Sequence, residues 1–194
     1  MHENLSKKKI KKGRVFDMTI LIRQETSADF ACVYEVVKAA FLNAEHADHD
    51  EQNLVVRLRN STAFVPELSL VAVADNTIVG YIAFTKIKIR GDEKEYTSLA
   101  LAPVAVLPEM QGNGVGRQLI LEGHKIALGL GFNSVILLGH PNYYPRFGYV
   151  LASGFGITAP FDVPDEAFMA CELTADALAD TTGIVEFPKE FFEK

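Results

Sequence analysis

The residues from Leu99 to Leu121, LALAPVAVLPEMQGNGVGRQLIL, restrict the fold more than any other stretch of the chain. An apolar run with strand character passes through Pro108, Glu109 and Met110 into a loop with glycines at 112, 114 and 116, and a helical pattern follows. A helix that starts this way leaves its first N–H groups without partners and puts the positive end of its dipole at the same spot. Glycines there permit positive φ and keep side chains away from the backbone. The stretch therefore predicts a binding site for a phosphorylated ligand.

Such a turn needs a core behind it, and 194 residues with 48% hydrophobic and 23% charged content suit one domain with a real interior. A net charge of −6 argues against nucleic acid as a partner. No apolar run reaches the ~18 residues of a membrane span; Pro103 and Pro108 interrupt the longest one. Cys32 and Cys171 are too few for a disulfide framework and fit a reducing cytoplasm. Cys32 falls in a helical stretch and is read as a packed or idle thiol. The first residues differ: Lys7, Lys8, Lys9, Lys11, Lys12 and Arg14 form a basic run. Asp17 breaks the apolar stretch a secretion signal would need. Residues 1–17 are expected to be a solvated, disordered extension and residues 18–194 the single domain, with Met18 a candidate start.

Thr19–Arg23 reads as a first strand, and Thr26-Ser27-Ala28-Asp29 has capping-box spacing. Phe30, Val33, Val37 and Phe41 then recur at helical intervals and predict a buried face. After a polar stretch from Asn43 to Glu51, Asp48 with Glu51 is expected to cap a second helix to Asn60, carrying Leu54, Val55 and Leu58 inward. Leu68–Ala74 and Ile78–Phe84 flank Asp75-Asn76-Thr77 as a hairpin, and the second strand continues to Arg90. Gly91 and Asp92 turn it into the strand that ends in the glycine loop, making three antiparallel strands in series. Pro103 cannot donate to a ladder, so it predicts a bulge that leaves backbone groups of Val104, Ala105 and Val106 for a ligand with amides. Val115, Leu119, Ile126 and Leu130 give the next helix its stripe, ended by Gly129 and Gly131. Ser134–Leu138 is a short apolar strand, parallel to its neighbour through the helical crossover. Phe168–Leu173 and Ile184–Phe187 read as late strands, with a turn at Asp176–Leu178.

Several phosphate loops can be sorted by spacing. A Walker loop needs Lys and then Ser or Thr after its last glycine, but Arg117 and Gln118 follow Gly116. A dinucleotide fold needs G-x-G-x-x-G after the first strand of a βαβ unit. The pattern present is Q-x-x-G-x-G at Gln111, Gly114 and Gly116, after a strand ending V-A-V-L-P. A second match follows in Tyr143-Tyr144-Pro145-Arg146-Phe147-Gly148-Tyr149. With these motifs the chain, from about Thr19 to Tyr149, resembles the GCN5-related N-acetyltransferases (GNAT). LAPVAVLPEMQGNGVG, RFGY and the late VPDEAFMACEL resemble a bacterial subgroup with unassigned substrates.

The resemblance implies an α/β fold (α+β mixed sheet) with a mostly antiparallel central sheet flanked by helices, of the acyl-CoA N-acyltransferase kind. It implies acetyl-CoA as co-substrate. The diphosphate would lie on Gln111, Gly112, Asn113, Gly114, Val115, Gly116 and Arg117, the N–H groups of 112–117 being the donors, and the pantetheine arm along Val104, Ala105 and Val106. The reaction is attack of a primary amine, of a small molecule or a protein, on the thioester. An alkylamine has a pKa of about 10.4 and must first lose a proton. Tyr144, four residues before Gly148, matches the family's general-acid tyrosine, with Tyr143 the competing hydroxyl. No strand carboxylate stands out as base: Glu95, Tyr96, Thr97 and Ser98 precede the bulge, and His140 is read as a structural or solvated histidine. The acidic run Glu45 to Glu51 is read as a loop and helix cap, lacks tight zinc spacing, and would border an acceptor of positive charge. No metal and no membrane partner are expected, and the chain is expected to be a monomer or homodimer. Two competing readings are a non-catalytic acyl-CoA sensor on the same fold and a generic nucleotide-binding protein.

Overall fold

In the computed structural model, which describes residues 19–44 and 48–193, the alternating runs of the sequence pair into one nine-stranded sheet. The basic run, the boundary at Met18 and residues Glu45, His46 and Ala47 lie outside the described residues. The elements are β1 (Ile20–Gln24), α1 (Phe30–Phe41), α2 (Glu51–Arg59), β2 (Phe64–Ala74), β3 (Thr77–Arg90), β4 (Glu95–Val106), α3 (Val115–Gly129) and β5 (Ser134–Leu138). They are followed by β6 (Val150–Leu151), β7 (Ile157–Thr158), β8 (Phe168–Glu172) and β9 (Gly183–Glu186). The sheet order is β1-β2-β3-β4-β5-β8-β6, with β9 beside the end of β3 and β7 beside β9. The first four strands are antiparallel in series, one more than expected, because β1 pairs with β2.

Asp75 and Asn76 join β2 and β3 with φ of 47° and 63°, a two-residue turn of the kind whose twist suits a hairpin. Side chains then sort by the period of two onto the two faces. Leu70, Ala72, Ile82, Phe84, Leu99, Leu101, Val135 and Leu137 meet Val115, Leu119, Ile120 and Ala127 of α3. Val71, Tyr81, Ala83 and Ala105 meet Val33, Val37 and Val55 of α1 and α2 on the other face. Farther along that face Ile87, Ile89, Ala100 and Ile136 pack under the C-terminal strands.

The bulge expected at Pro103 is present. Phe84 faces Leu101 and Ile82 faces Val104, so Ala83 alone opposes Ala102 and Pro103. The extra residue inverts the alternation. Leu99 and Leu101 point to α3, yet two turns of the pleat later Ala105 points to α1 and α2. β5 runs parallel to β4, but they pair only at Leu99 with Val135 and Ala100 with Ile136. Beyond Ala100, β5 stays with β8 along its whole length while β4 stays with β3. The sheet therefore splits, and the edge of β4 from 101 to 106 faces the gap.

Three side chains depart from the sequence reading. Phe30 opens α1 but is 40% exposed, lying under the Arg59 guanidinium at 3.9 Å instead of in the core. Leu130 is exposed, and the buried stripe of α3 runs through Val115, Leu119, Ile120, Gly123 and Ala127. Gly123 belongs there because Phe84 leaves no room for a side chain: a Cβ would fall 2.3 Å from Phe84 Cε2. The cap of α2 is Asp50, not Asp48; Asn53 Nδ2 donates to its Oδ1 (2.6 Å), and the Asp48 N–H donates to Glu51 Oε1 (3.0 Å).

Candidate active site

Residues 107–114 carry the chain from the open strand edge to the start of α3. The Leu107 N–H donates to Val79 O (3.0 Å), which holds the end of β4 against β3. A single turn at Pro108–Met110 follows. Gly112 and Gly114 have φ of 77° and 80° and nothing within 4 Å of where a Cβ would stand. Gly114 is the N-cap of α3, and the first bond of the helix runs from the Gln118 N–H to its carbonyl at 3.0 Å. The N–H groups of Val115, Gly116 and Arg117 thus open the helix without intrahelical acceptors. Two polar side chains of the loop turn inward to brace it. Gln111 Nε2 donates to Val106 O (3.2 Å), tying loop to strand, and Asn113 Nδ2 donates to Met110 O (3.2 Å) and Gln111 O (3.3 Å). What the loop offers outward is its backbone.

Val104 and Val106 pack toward the α3 core and Ala105 toward α1 and α2, so β4 presents only its main chain to the split. Strand edge and helix start are therefore two segments of one continuous backbone surface. One supplies alternating amide donors and acceptors, and the other supplies convergent N–H groups at a helix dipole.

The turn after β5 closes over this surface from the other side of the split. Tyr144 is 8% exposed, and its ring lies so near Gly139 that a Cβ there would be 2.3 Å from Tyr144 Cε2. It meets Tyr143 edge-on at 5.1 Å and Tyr149 at 5.6 Å. Burial pushes its phenol well above the ordinary range, so the hydroxyl is a donor at neutral pH. Gly148, at φ 91°, ends the turn with its N–H on Pro145 O (3.1 Å). His140 is exposed and contributes its carbonyl, which accepts the Tyr143 N–H at 3.0 Å. Tyr143 is half-buried, with the Arg146 guanidinium 4.9 Å over its ring. Its hydroxyl reaches the glycine loop: it stands 2.8 Å from where a Cβ on Gly116 would lie.

Two polar groups in the interior were absent from the sequence reading. Glu25 follows β1, is buried, and accepts from Arg59 Nε (3.2 Å), Arg59 Nη2 and Ser69 Oγ (2.7 Å). Ser69 Oγ lies 2.8 Å from Tyr81 Oη, whose phenol burial and the nearby Glu25 charge push up. This carboxylate is paired and is no free base. His124 Nε2 lies 2.8 Å from Tyr149 Oη, and burial pulls the ring down to about 4, so it is neutral. Its place between Ile120 and Ala127, on the buried face of α3, is legible from helical spacing. In the acidic stretch Asp50 is engaged by Arg57 (2.9 Å) as well as Asn53, while Glu51 Oε2 is buried with no partner among the described residues. Among the described residues no group of three His, Cys, Asp or Glu side chains is arranged to hold a metal ion.

An open strand edge leading into a helix start with N–H groups that lack intrahelical acceptors is a layout that can take an extended, amide-bearing, phosphorylated ligand. The profile of the acetyltransferase (GNAT) family matches residues 30–149. YjhQ of Escherichia coli K12, described as an uncharacterized N-acetyltransferase, is 36% identical over 158 residues, 79% of this chain and 84% of YjhQ. YhbS of the same strain, described likewise, is 30% identical over 173 residues, 89% of this chain and 98% of YhbS. The crystal structure of E. coli YhbS in complex with CoA matches with a TM-score of 0.82 at 29% identity, covering 94% of this chain and 97% of that one. A GNAT acetyltransferase from Brucella melitensis in complex with acetyl-CoA matches with a TM-score of 0.73 at 33% identity, covering 89% and 98%. The chain belongs to the GNAT family of acetyltransferases. Among the described residues no helix is long and apolar enough to cross a membrane.

Proposed function

We propose that this chain transfers the acetyl group of acetyl-CoA to a primary amine, with Tyr144 as the hydroxyl that meets the departing sulfur. The observation that carries this is the split after Ala100, which leaves β4 from 101 to 106 unpaired on the side that runs into the loop at 112–117. The arm's amides have a strand edge to pair with, and the diphosphate has the start of α3. That YhbS and the Brucella enzyme are known with CoA and acetyl-CoA supports the same cofactor here.

In the reaction a neutral amine nitrogen attacks the thioester carbonyl, the C–N bond forms and the C–S bond breaks. The proton lost by the amine balances the one gained by the thiol. Because the Tyr144 phenol is held above its ordinary range, it stays protonated and hydrogen-bonds the sulfur as charge builds there. A thiol has a pKa of about 8.5, so its thiolate is a weaker base than tyrosinate, and the phenol gives up its proton only if it is replaced. Asp48, exposed at the entry to α2, favours an acceptor of positive charge; Asp50 is engaged by Arg57 and Asn53, and Glu51 accepts the Asp48 N–H with its other oxygen buried.

The test is thiol release from acetyl-CoA with a panel of small amines, amino acids and peptide N-termini. Acetyl transfer to any amine class supports the reading. Tight CoA binding with no thiol release across the panel returns the protein to a sensor role.

A further inference from the structure

Two adjacent tyrosines in the turn after β5 point in different directions. The Tyr144 ring is packed beside Gly139 at the end of β5, in the core. Tyr143 leaves the same turn toward α3. Its Oη stands 2.8 Å from the Cβ position of Gly116, and Val106 Cγ2 lies 3.6 Å from that same point. The hydroxyl is therefore where the strand edge ends and the helix begins. Among the described residues it makes no hydrogen bond, although its ring is held on several sides. Tyr144 meets the ring edge-on at 5.1 Å, Phe147 meets it at 5.4 Å, and the Arg146 guanidinium lies over it at 4.9 Å. Arg146 is itself anchored, donating from Nη2 to Asn142 O at 3.1 Å.

A clamped ring with a free hydroxyl is an arrangement that fixes a donor in space at little entropic cost on binding. The groups around that hydroxyl decide what it donates to. The helix-opening N–H groups beside it are donors and cannot accept from it. An oxygen-rich anion on those N–H groups can. The cation on the ring adds positive potential at the same place. Glycine at 116 has a second reason here: any Cβ would strike the tyrosine hydroxyl, so its absence keeps Oη at the loop.

We infer that Tyr143 is a cofactor-binding residue whose hydroxyl donates to the diphosphate of CoA alongside the backbone N–H groups of 112–117. This rests on the reading of that loop as the diphosphate site. The two tyrosines then divide the work: one grips the phosphate end of the cofactor and the other faces its sulfur. It also joins the loop to the turn after β5, so the phosphate end and the reacting end of the site share one short segment, Tyr143-Tyr144.

The test compares Tyr143→Phe with wild type, using CoA and pantetheine, which lacks the diphosphate. CoA affinity is read by calorimetry and pantetheine affinity by titration in the millimolar range. The variant keeps the ring and its contacts, and its pantetheine affinity reports an intact arm site. The expected result is a Kd for CoA raised about tenfold, the size of one hydrogen bond to a charged group, with the Kd for pantetheine within about twofold. A CoA affinity unchanged by Tyr143→Phe overturns the inference, and so does an equal loss for both ligands. If wild type binds CoA no better than pantetheine, the loop is not a diphosphate site, and that reading fails together with this one.

Discussion

Gly139→Ala displaces Tyr144 without removing its hydroxyl, which makes it a sharper probe of the proposed hydrogen bond to the sulfur than deletion of the group. The new Cβ would lie 2.3 Å from Tyr144 Cε2 and 3.0 Å from Cδ2, where contact distances between carbons are about 3.5 Å or more. The ring must retreat by roughly an ångström, and it has little room, since Tyr149 stands at 5.6 Å and Tyr143 at 5.1 Å. Overpacking of this kind costs about 1–3 kcal/mol. For a chain of this size that is a fall in Tm of about 2–4 °C per kcal/mol. The catalytic effect is separate: a misplacement of about 1 Å at a reacting group costs on the order of 100-fold. The assay is steady-state thiol release from acetyl-CoA, run beside calorimetry with CoA and a thermal melt. Expected are a kcat about 100-fold lower, CoA affinity within about threefold, below 1 kcal/mol, and a modestly lower Tm. A lowered Tm with kcat unchanged would show that Tyr144 only packs, and would refute its proposed role.

Tyr144→Phe is expected to lower kcat by about 10²-fold or more while changing CoA affinity little, measured in the same assays; unchanged turnover removes the assignment. His124 predicts a pH dependence of stability. Its folded value of about 4 lies below the ordinary histidine value of 6.5, so between them the unfolded chain binds the extra proton. The stabilisation is full above pH ~6.5 and is lost as pH falls toward ~4, amounting to about 3 kcal/mol at most. Urea unfolding at pH 7 and pH 5 should show a loss that His124→Gln reduces; equal losses in both proteins would exclude His124 as its source. Glu25→Gln strands the Arg59 guanidinium, whose side chain is 8% exposed, and should cost about 3–5 kcal/mol in denaturant unfolding. A cost below about 1 kcal/mol, the range of a surface pair, would mean that solvent reaches the site.

Much of the donor side of this protein can be read from residues alone, because it depends on local chemistry. Pro103 announces the bulge, Asp75-Asn76 the hairpin, and the glycines from 112 to 116 the helix start, each through a backbone constraint within a few residues. The split of the sheet is different. It arises from which neighbour each strand keeps after Ala100, and no residue in β4 or β5 states that preference. The β6 and β7 strands were not anticipated because two residues carry no period. Spacing puts Phe30 in the core, but Arg59 from another helix covers it at the surface. The Glu25 network unites residues 25, 59, 69 and 81 from four elements or their flanks, a meeting that only tertiary structure brings about. The contact between Tyr143 and Gly116 is of the same kind: both residues stand out in sequence, but their proximity does not.

Strand edge and helix start are proposed to hold one ligand through main-chain groups, so backbone amide shifts on titration with CoA report on both at once. The N–H signals at 104–106 and 112–117 are expected to move together and saturate at one affinity with CoA, while ATP moves only those of the loop. Perturbation of the loop alone by CoA, or saturation of the two segments at different concentrations, would contradict that proposal.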